Sequence, residues 1–135
     1  MLSILIPLRN EYENLPKIES QFQHNLRDID YELILIDDYS TDDTLTTAKN
    51  IADKNKNIIV LKNSKKGLGG AISLGIKEAK GDYICVTMAD FSDDINDLKR
   101  YLKLIHEKKI DAVFGSRFIK GSKVINYPKK KTFSQ

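Results

Sequence analysis

The sequence has a single cysteine, three prolines and no apolar run of membrane-spanning length, and each scarcity closes off a class of protein. Cys85 has no second thiol to pair with, so neither a disulfide nor a cysteine-built metal cluster can form within the chain. Nothing approaches the roughly 20 consecutive apolar residues a helix needs to cross a bilayer. The amino-terminal stretch MLSILIPLRNEYEN is too briefly apolar for a secretory signal and has no basic start. A cytoplasmic setting is therefore expected. Aromatic residues are scarce in the lysine-rich stretches, which counts against nucleic-acid binding.

What is present is the composition of a soluble globular domain: 135 residues, 41% hydrophobic and 30% charged, enough to bury a core. The net charge of +3 is unevenly spread. Residues 1–60 carry 6 basic and 11 acidic side chains, a net −5, whereas residues 61–135 carry 16 and 8, a net +8. A Tyr-Pro-Lys-Lys-Lys tail at 127–131 adds to the second half. Such asymmetry fits either an anionic partner or a solvated tail.

The most informative stretch is YELILIDDYSTDDT, residues 31–44. Its apolar run reads as a strand buried on both faces, as inside a parallel sheet, and ends abruptly in Asp37 and Asp38. Ser40 three residues before Asp43 resembles a capping box that opens a helix. A first strand is expected over 2–7, then a helix capped by Asn14 with Pro16 in its first turn and Leu15, Ile18, Phe22 and Leu26 inward. The second helix points Leu45, Ala48 and Ala52 inward. A third strand falls at 57–61 and a third helix at 67–80, burying Leu68, Ile72, Ile76 and Ala79 and stopped by Gly81. A fourth strand at 82–87, a fourth helix with Ile95, Leu98, Leu102 and Ile105 on one face, and a short fifth strand at 111–115 complete the pattern. Alternation of this kind predicts an α/β fold, a mostly parallel central sheet with helices on both faces.

The first strand-to-helix turn, PLRNEYEN, contains no glycine, so a dinucleotide-binding loop of the GxGxxG type is excluded there. The glycine-rich turn follows the third strand instead, at Gly67, Gly69 and Gly70. It suits either backbone donation to an anion or close packing of helix on sheet. Carboxylates gather at the carboxyl ends of strands: Glu11 after the first, Asp37 and Asp38 at the second, and Asp90, Asp93 and Asp94 after the fourth. With the first and fourth strands adjacent, these acids share one edge, where open α/β sheets bind ligands. Crowded carboxylates repel one another, and a divalent cation such as Mg²⁺ or Mn²⁺, bridging to substrate phosphates, relieves that. Helix capping is the alternative role for Asp43, Asp93 and Asp94.

Four blocks, IPLRNEYENLP, LILIDDYSTDDT, KKGLGGAISLGIKEAKGDYICVTMADFSDD and DAVFGSRF, together resemble the inverting family 2 glycosyltransferases, in the branch of polyprenyl-phosphate (dolichol-phosphate) mannosyl- and glucosyltransferases. The resemblance runs to about residue 123 and implies a GT-A nucleotide-sugar-binding fold over 1–123, incomplete at its carboxyl end, with 124–135 a basic tail or the start of an acceptor half. It implies transfer of a sugar from a GDP- or UDP-linked donor to a polyprenyl phosphate, with no nucleic acid involved and with peripheral placement at a membrane face. Pro7, Arg9 and Glu11 would line the nucleotide pocket, with Asp37 and Asp38 at the base and ribose and Gly67 and Gly69 nearby. Asp90 matches the last aspartate of the family's metal-binding Asp-x-Asp, with Asp93 and Asp94 as further ligands. Arg117 matches the arginine that holds the acceptor phosphate, a task suited to a bidentate guanidinium. The other reading is a nucleotide-sugar-binding module without activity.

The chain departs from the family in two of these blocks. Met88 stands where the first aspartate of Asp-x-Asp is usual, and a thioether is a poor ligand for Mg²⁺. Tyr39 replaces a glycine after the paired aspartates, and is strained if that backbone takes a positive φ.

Overall fold

The computed structural model of the chain describes residues 1–116. The chain divides into two compact units, 1–100 and 101–135. The first holds β1 (Leu2–Leu8), α1 (Leu15–Asn25), β2 (Tyr31–Asp37), α2 (Thr44–Ala52), β3 (Ile58–Lys62), α3 (Leu68–Glu78) and β4 (Tyr83–Val86), and α4 (Ile95–Lys108) begins in it. The sheet is parallel throughout, in the order β3-β2-β1-β4. The chain therefore steps one way from β1 to β3, then crosses back to β4. With crossovers of one hand, that reversal puts α1 and α2 on one face and α3 on the other.

Burial follows from this order. All seven residues of β1 are buried, as are Glu32 to Asp37 of β2. Leu5, Ile34, Ile36 and Ala71 form a core cluster on the α3 face, joined by Leu61, Leu74 and Ala79. Helix α1 buries Leu15, Ile18 and Phe22, with Leu26 just beyond it, as its spacing predicts. Helix α4 buries Ile95 and Leu98.

A proline in a central strand looks out of place, because it cannot donate to the ladder. Leu8 accepts from the Asp38 N–H toward β2, and Leu5 accepts from the Thr87 N–H toward β4. By alternation, Pro7 turns its donor-less nitrogen toward β4, two residues past Leu5, which with Val86 makes the last pair. No ladder bond is lost. The two strands part at this point.

Several expectations are corrected. Residues 111–115 are not a strand: they are mostly exposed and pair with no strand among the described residues, and Phe114 is 89% exposed. The described sheet has four strands. Helix α3 turns Ala71 and Gly75 to the sheet, while Leu68 and Ile76 are exposed. A Cβ on Gly75 would sit 2.9 Å from Ile36 Cδ1 and 3.0 Å from Leu5 Cδ1, so the helix lies closer than a leucine stripe allows. Gly81 does not end the helix, since Ala79 is already extended. It lets the chain pass against β1, where an added Cβ would meet the Ser3 nitrogen at 2.6 Å.

The expected caps also differ. Asn14 and Asp43 hold the N-cap positions of α1 and α2 without side-chain capping bonds. Asp42 takes that work for α2, accepting from the Thr44 N–H at 3.0 Å and from its hydroxyl at 2.5 Å. Ser40 accepts instead from the Asn10 N–H. The expected boundary at residue 123, and Arg117, lie outside the described residues.

Candidate functional site

Where β1 and β4 part, a cleft of about 290 Å³ opens at the carboxyl edge of the sheet. Pro7, Leu8, Arg9 and Glu11 line it from the end of β1, Met88, Ala89 and Asp90 from the end of β4, Asp38 from the end of β2, and Gly67 and Leu68 from the start of α3. This is where the chain's direction across the sheet reverses, the place at which open α/β sheets take their ligands. Of the residues expected at the nucleotide, Pro7, Arg9, Glu11, Asp38 and Gly67 share this cleft, and with them Asp90, expected at the metal. Asp37, Gly69, Asp93 and Asp94 do not line it.

Asp38 is the best-anchored of them. It is 6% exposed, and its Oδ1 accepts from Asn63 Nδ2 at 2.7 Å and from the Gly67 N–H at 2.8 Å. The Gly67 N–H also reaches Oδ2 at 3.1 Å. These bonds, the Gly67 one foremost, together with the charges of Arg9 and Lys66, hold the carboxyl below its ordinary pKa despite its burial. The expected anion site at the glycine turn is thus partly filled from within: Gly67, at φ 112°, gives its N–H to Asp38. Close packing accounts for Gly70, whose added Cβ would collide with the Lys65 carbonyl.

Adjacent residues on a strand face opposite ways, which explains the fate of the paired aspartates. Asp38 falls on the α3 side, with Ile34 and Ile36. Asp37 falls on the other, 1% exposed and off the cleft, with no hydrogen-bond partner for Oδ1 among the described residues.

The turns after β1 and β2 are fastened to each other. Asn10 Oδ1 accepts from the Thr41 N–H at 2.8 Å, Ser40 Oγ accepts from the Asn10 N–H at 3.1 Å, and Thr44 Oγ1 accepts from the Glu11 N–H at 2.8 Å. Asn14 Nδ2 then holds Glu11 Oε2 at 2.7 Å. Asn10 and Tyr39 both take φ 58°, so Tyr39 does occupy the left-handed backbone that a glycine would enter freely. Its hydroxyl donates to the Ser64 carbonyl at 3.2 Å.

The β4 side differs. Asp90 Oδ1 accepts from the Ser92 N–H at 3.0 Å. Asp93 Oδ2 accepts from the Thr87 hydroxyl and the Met88 N–H, at 3.3 and 3.4 Å. Asp94 Oδ1 accepts from the Asn96 N–H at 2.9 Å, the bond of an N-cap to α4. Asp93 and Asp94 line a separate hollow with Gln21 and Asn25. Among the described residues no three His, Cys, Asp or Glu side chains are grouped to hold a metal, so the expected Asp90, Asp93 and Asp94 set is not assembled. Asp90 alone, at the cleft, suits an ion that keeps its waters and takes further oxygens from a substrate's phosphates.

Sequence reasoning missed Asn63, which anchors Asp38, and Asn10 with its partners. The signal was there in part: an asparagine just outside a strand often bonds nearby backbone.

An α/β chain with a parallel sheet and a charged cleft at its reversal point belongs to the broad class of nucleotide-binding folds. The glycosyl transferase family 2 model matches residues 3–135, and the chain belongs to that family. Dolichol-phosphate mannosyltransferase of Pyrococcus furiosus is 34% identical over 127 residues, 94% of this chain and 36% of that protein. Polyprenol monophosphomannose synthase of Mycolicibacterium smegmatis is 32% identical over 130 residues, 93% of this chain and 48% of that protein. The chain thus spans between about a third and a half of these relatives. Among solved structures, a mannosyltransferase from Pyrobaculum calidifontis in complex with GDP-Man and Mn²⁺ superposes with a TM-score of 0.61 at 20% identity, covering 77% of this chain and 32% of that one. TarS of S. aureus in complex with UDP-GlcNAc gives 0.64 at 24% identity, covering 78% and 31%. The fold is that of the GT-A glycosyltransferases. Among the described residues no helix is long and apolar enough to cross a membrane.

Proposed function

We propose that this chain is the donor-binding part of a glycosyltransferase that moves a sugar from a GDP- or UDP-linked donor to a polyprenyl phosphate. The observation that carries it is the cleft at the sheet's reversal point, where Arg9 and Glu11, Asp38, and Asp90 converge from three separate segments. Relatives named for dolichol-phosphate and polyprenol substrates support the lipid-phosphate acceptor. In this reading the anchored Asp38 accepts hydrogen bonds from the nucleoside, and Glu11, held by Asn14 and Thr44, borders the same pocket. Arg9 faces the diphosphate as a fixed positive charge. A bound Mg²⁺ or Mn²⁺ would neutralise charge on the departing diphosphate, with Asp90 as its protein ligand. An oxygen of the acceptor phosphate, already ionised, attacks the anomeric carbon. The bond from that carbon to the diphosphate oxygen breaks and the configuration inverts. No side chain need remove a proton. Arg117 is assigned to the acceptor phosphate, at the membrane face.

The test is titration of GDP- and UDP-sugars by calorimetry, with and without Mn²⁺, followed by transfer to a polyprenyl phosphate. Binding with turnover supports the enzyme. Binding without turnover favours a second reading, a nucleotide-sugar-binding module, toward which Met88 in the cleft leans. Asp38→Ala is expected to weaken donor binding at least tenfold, as loss of a charged hydrogen-bonding partner does. Asp94→Ala, which removes a helix cap beyond the cleft, is expected to leave binding within about twofold. Equal losses in the two variants would remove Asp38 from the pocket.

A further inference from the structure

We propose that Asn63 is the positioning residue of this cleft: one buried amide that fixes the Asp38 carboxylate and folds the lysine-rich loop around it. The proposal deepens the donor-binding reading and rests on it for its functional part. Asn63 follows β3 directly and is 3% exposed. Its backbone N–H donates to the Asp37 carbonyl at 2.8 Å, tying the loop to the end of β2. Its Nδ2 donates to Asp38 Oδ1 and to the Lys65 carbonyl, both at 2.7 Å, with the Gly67 carbonyl at 3.3 Å. Its Oδ1 accepts from the Lys65 N–H at 3.1 Å. One side chain therefore bridges the carboxylate and the backbone at 65 and 67.

The residue type is what this geometry needs. An amide offers two donors and an acceptor in a short side chain. An aspartate has the acceptors and lacks the donors, a serine has one donor, and a leucine has neither. Without the amide, the Asp38 Oδ1 keeps only the Gly67 N–H, and the turn that delivers that N–H loses its staple to Lys65. Asp38 then has no fixed orientation from which to receive a ligand.

Three measurements test this. First, calorimetry with GDP and with UDP on Asn63→Ala is expected to show binding weakened about tenfold, in line with loss of a hydrogen bond to a charged group. Second, ¹³C NMR titration of the Asp38 carboxyl, in the absence of nucleotide, is expected to move upward in Asn63→Ala. Third, Asn63→Asp sets a second carboxyl beside Asp38, and the two share a proton, raising the upper pKa of the pair. Protonated, the introduced carboxyl donates to Asp38 as the amide did. Nucleotide binding by Asn63→Asp is thus expected to be weak at pH 8 and to recover toward wild type as pH falls to about 5. The other charges that act on Asp38, Arg9 and Lys66, stay protonated across that window; the terminal phosphate of the nucleotide ionises at about pH 6, so the affinity of Asn63→Asp is read as its ratio to wild type at each pH.

Wild-type affinity in both variants, with a flat profile for Asn63→Asp and an unmoved Asp38 titration, would overturn the proposal. If Asn63→Ala fails to fold, the pH profile of Asn63→Asp decides, and a flat loss at all pH values counts against positioning. If wild type binds neither nucleotide while the Asp38 titration moves as expected, the donor-binding reading falls and the anchoring of Asp38 stands.

Discussion

β1 and β4 are neighbours in one ladder, yet every residue of β1 is buried, whereas Ile84 and Val86 of β4 remain 44% and 40% exposed. The difference continues into the two walls of the cleft. On the β1 and β2 side, bonds between segments 25 to 33 residues apart fix Asn10, the Glu11 backbone and Asp38. On the β4 side, Asp90, Asp93 and Asp94 accept from groups two to six residues away along the chain. Long-range bonds on a buried frame preorganise a wall, and local turns on an exposed edge leave it adaptable. In the donor-binding reading proposed above, the first wall thus suits the invariant part of the ligand, the nucleotide. The second suits the part whose chemistry changes during transfer.

The comparison breaks if the two regions prove equally important to stability. Ile34, in the core cluster, is fully buried, so Ile34→Ala is expected to cost about 2–5 kcal/mol in urea denaturation. Ile84→Ala removes a side chain that is already nearly half in water and should cost under about 1 kcal/mol. Similar losses would mean that β4 is covered in solution.

The buried frame was the readable part of the sequence. A continuous apolar run such as Leu33 to Ile36 has few explanations other than a strand covered on both faces, and carboxylates at its end mark the sheet's edge. What failed depended on facts that no local pattern carries. Leu68 and Ile76 look like core residues at helical spacing, but Gly75 brings α3 so near Leu5 and Ile36 that small residues take the inner face. Asp37 and Asp38 look equivalent in sequence and are separated by the pleat. Residues 111–115 have strand-like composition and no strand partner among the described residues. Asn63 carried only the general signal of an asparagine at a strand end, because its worth lies in partners brought to it by the fold. Of the site, the cleft's charged residues were legible by resemblance, while the three-carboxylate metal set was not assembled.

The next effect probes how α3 seals the buried frame. Gly75→Val must push α3 away from Leu5 and Ile36, and is expected to cost about 1–3 kcal/mol. Gly69→Ala, in the same helix with nothing within 4 Å of the new Cβ, should instead stabilise by up to about 1 kcal/mol. Thermal denaturation of the pair separates close packing from helix propensity.

A smaller effect sharpens the contrast in electrostatics. The Asp38 carboxyl is held below its ordinary pKa in the folded chain, foremost by the Gly67 N–H and then by Asn63, Arg9 and Lys66. A group of this kind contributes stability in full above its unfolded pKa of about 3.9 and loses it as pH falls through the lower folded value. Wild type is therefore expected to lose stability below about pH 4 more steeply than Asp38→Asn, measured by urea midpoints. Matching slopes would show that the anchor does not favour the ionised form.

The slightest perturbation concerns β4 itself, where Cys85 alternates with the exposed Ile84 and Val86 and so lies on the strand's more covered face. Burial, with a lesser contribution from Asp93, pushes its thiol up to about 11. Only the thiolate reacts, and at pH 8 about one part in a thousand is ionised, against about a quarter of an ordinary thiol of pKa 8.5. Labelling with a disulfide reagent at pH 8 is expected to run about two orders of magnitude slower than for a free thiol, to speed up roughly tenfold per pH unit, and to become fast in urea. Rapid labelling of the folded chain would mean that both faces of β4 are open to solvent, and the asymmetry between its faces would then be lost. Slow labelling would leave the strand as the geometry has it: one face desolvated against the frame, the other exposed beside the cleft's adaptable wall.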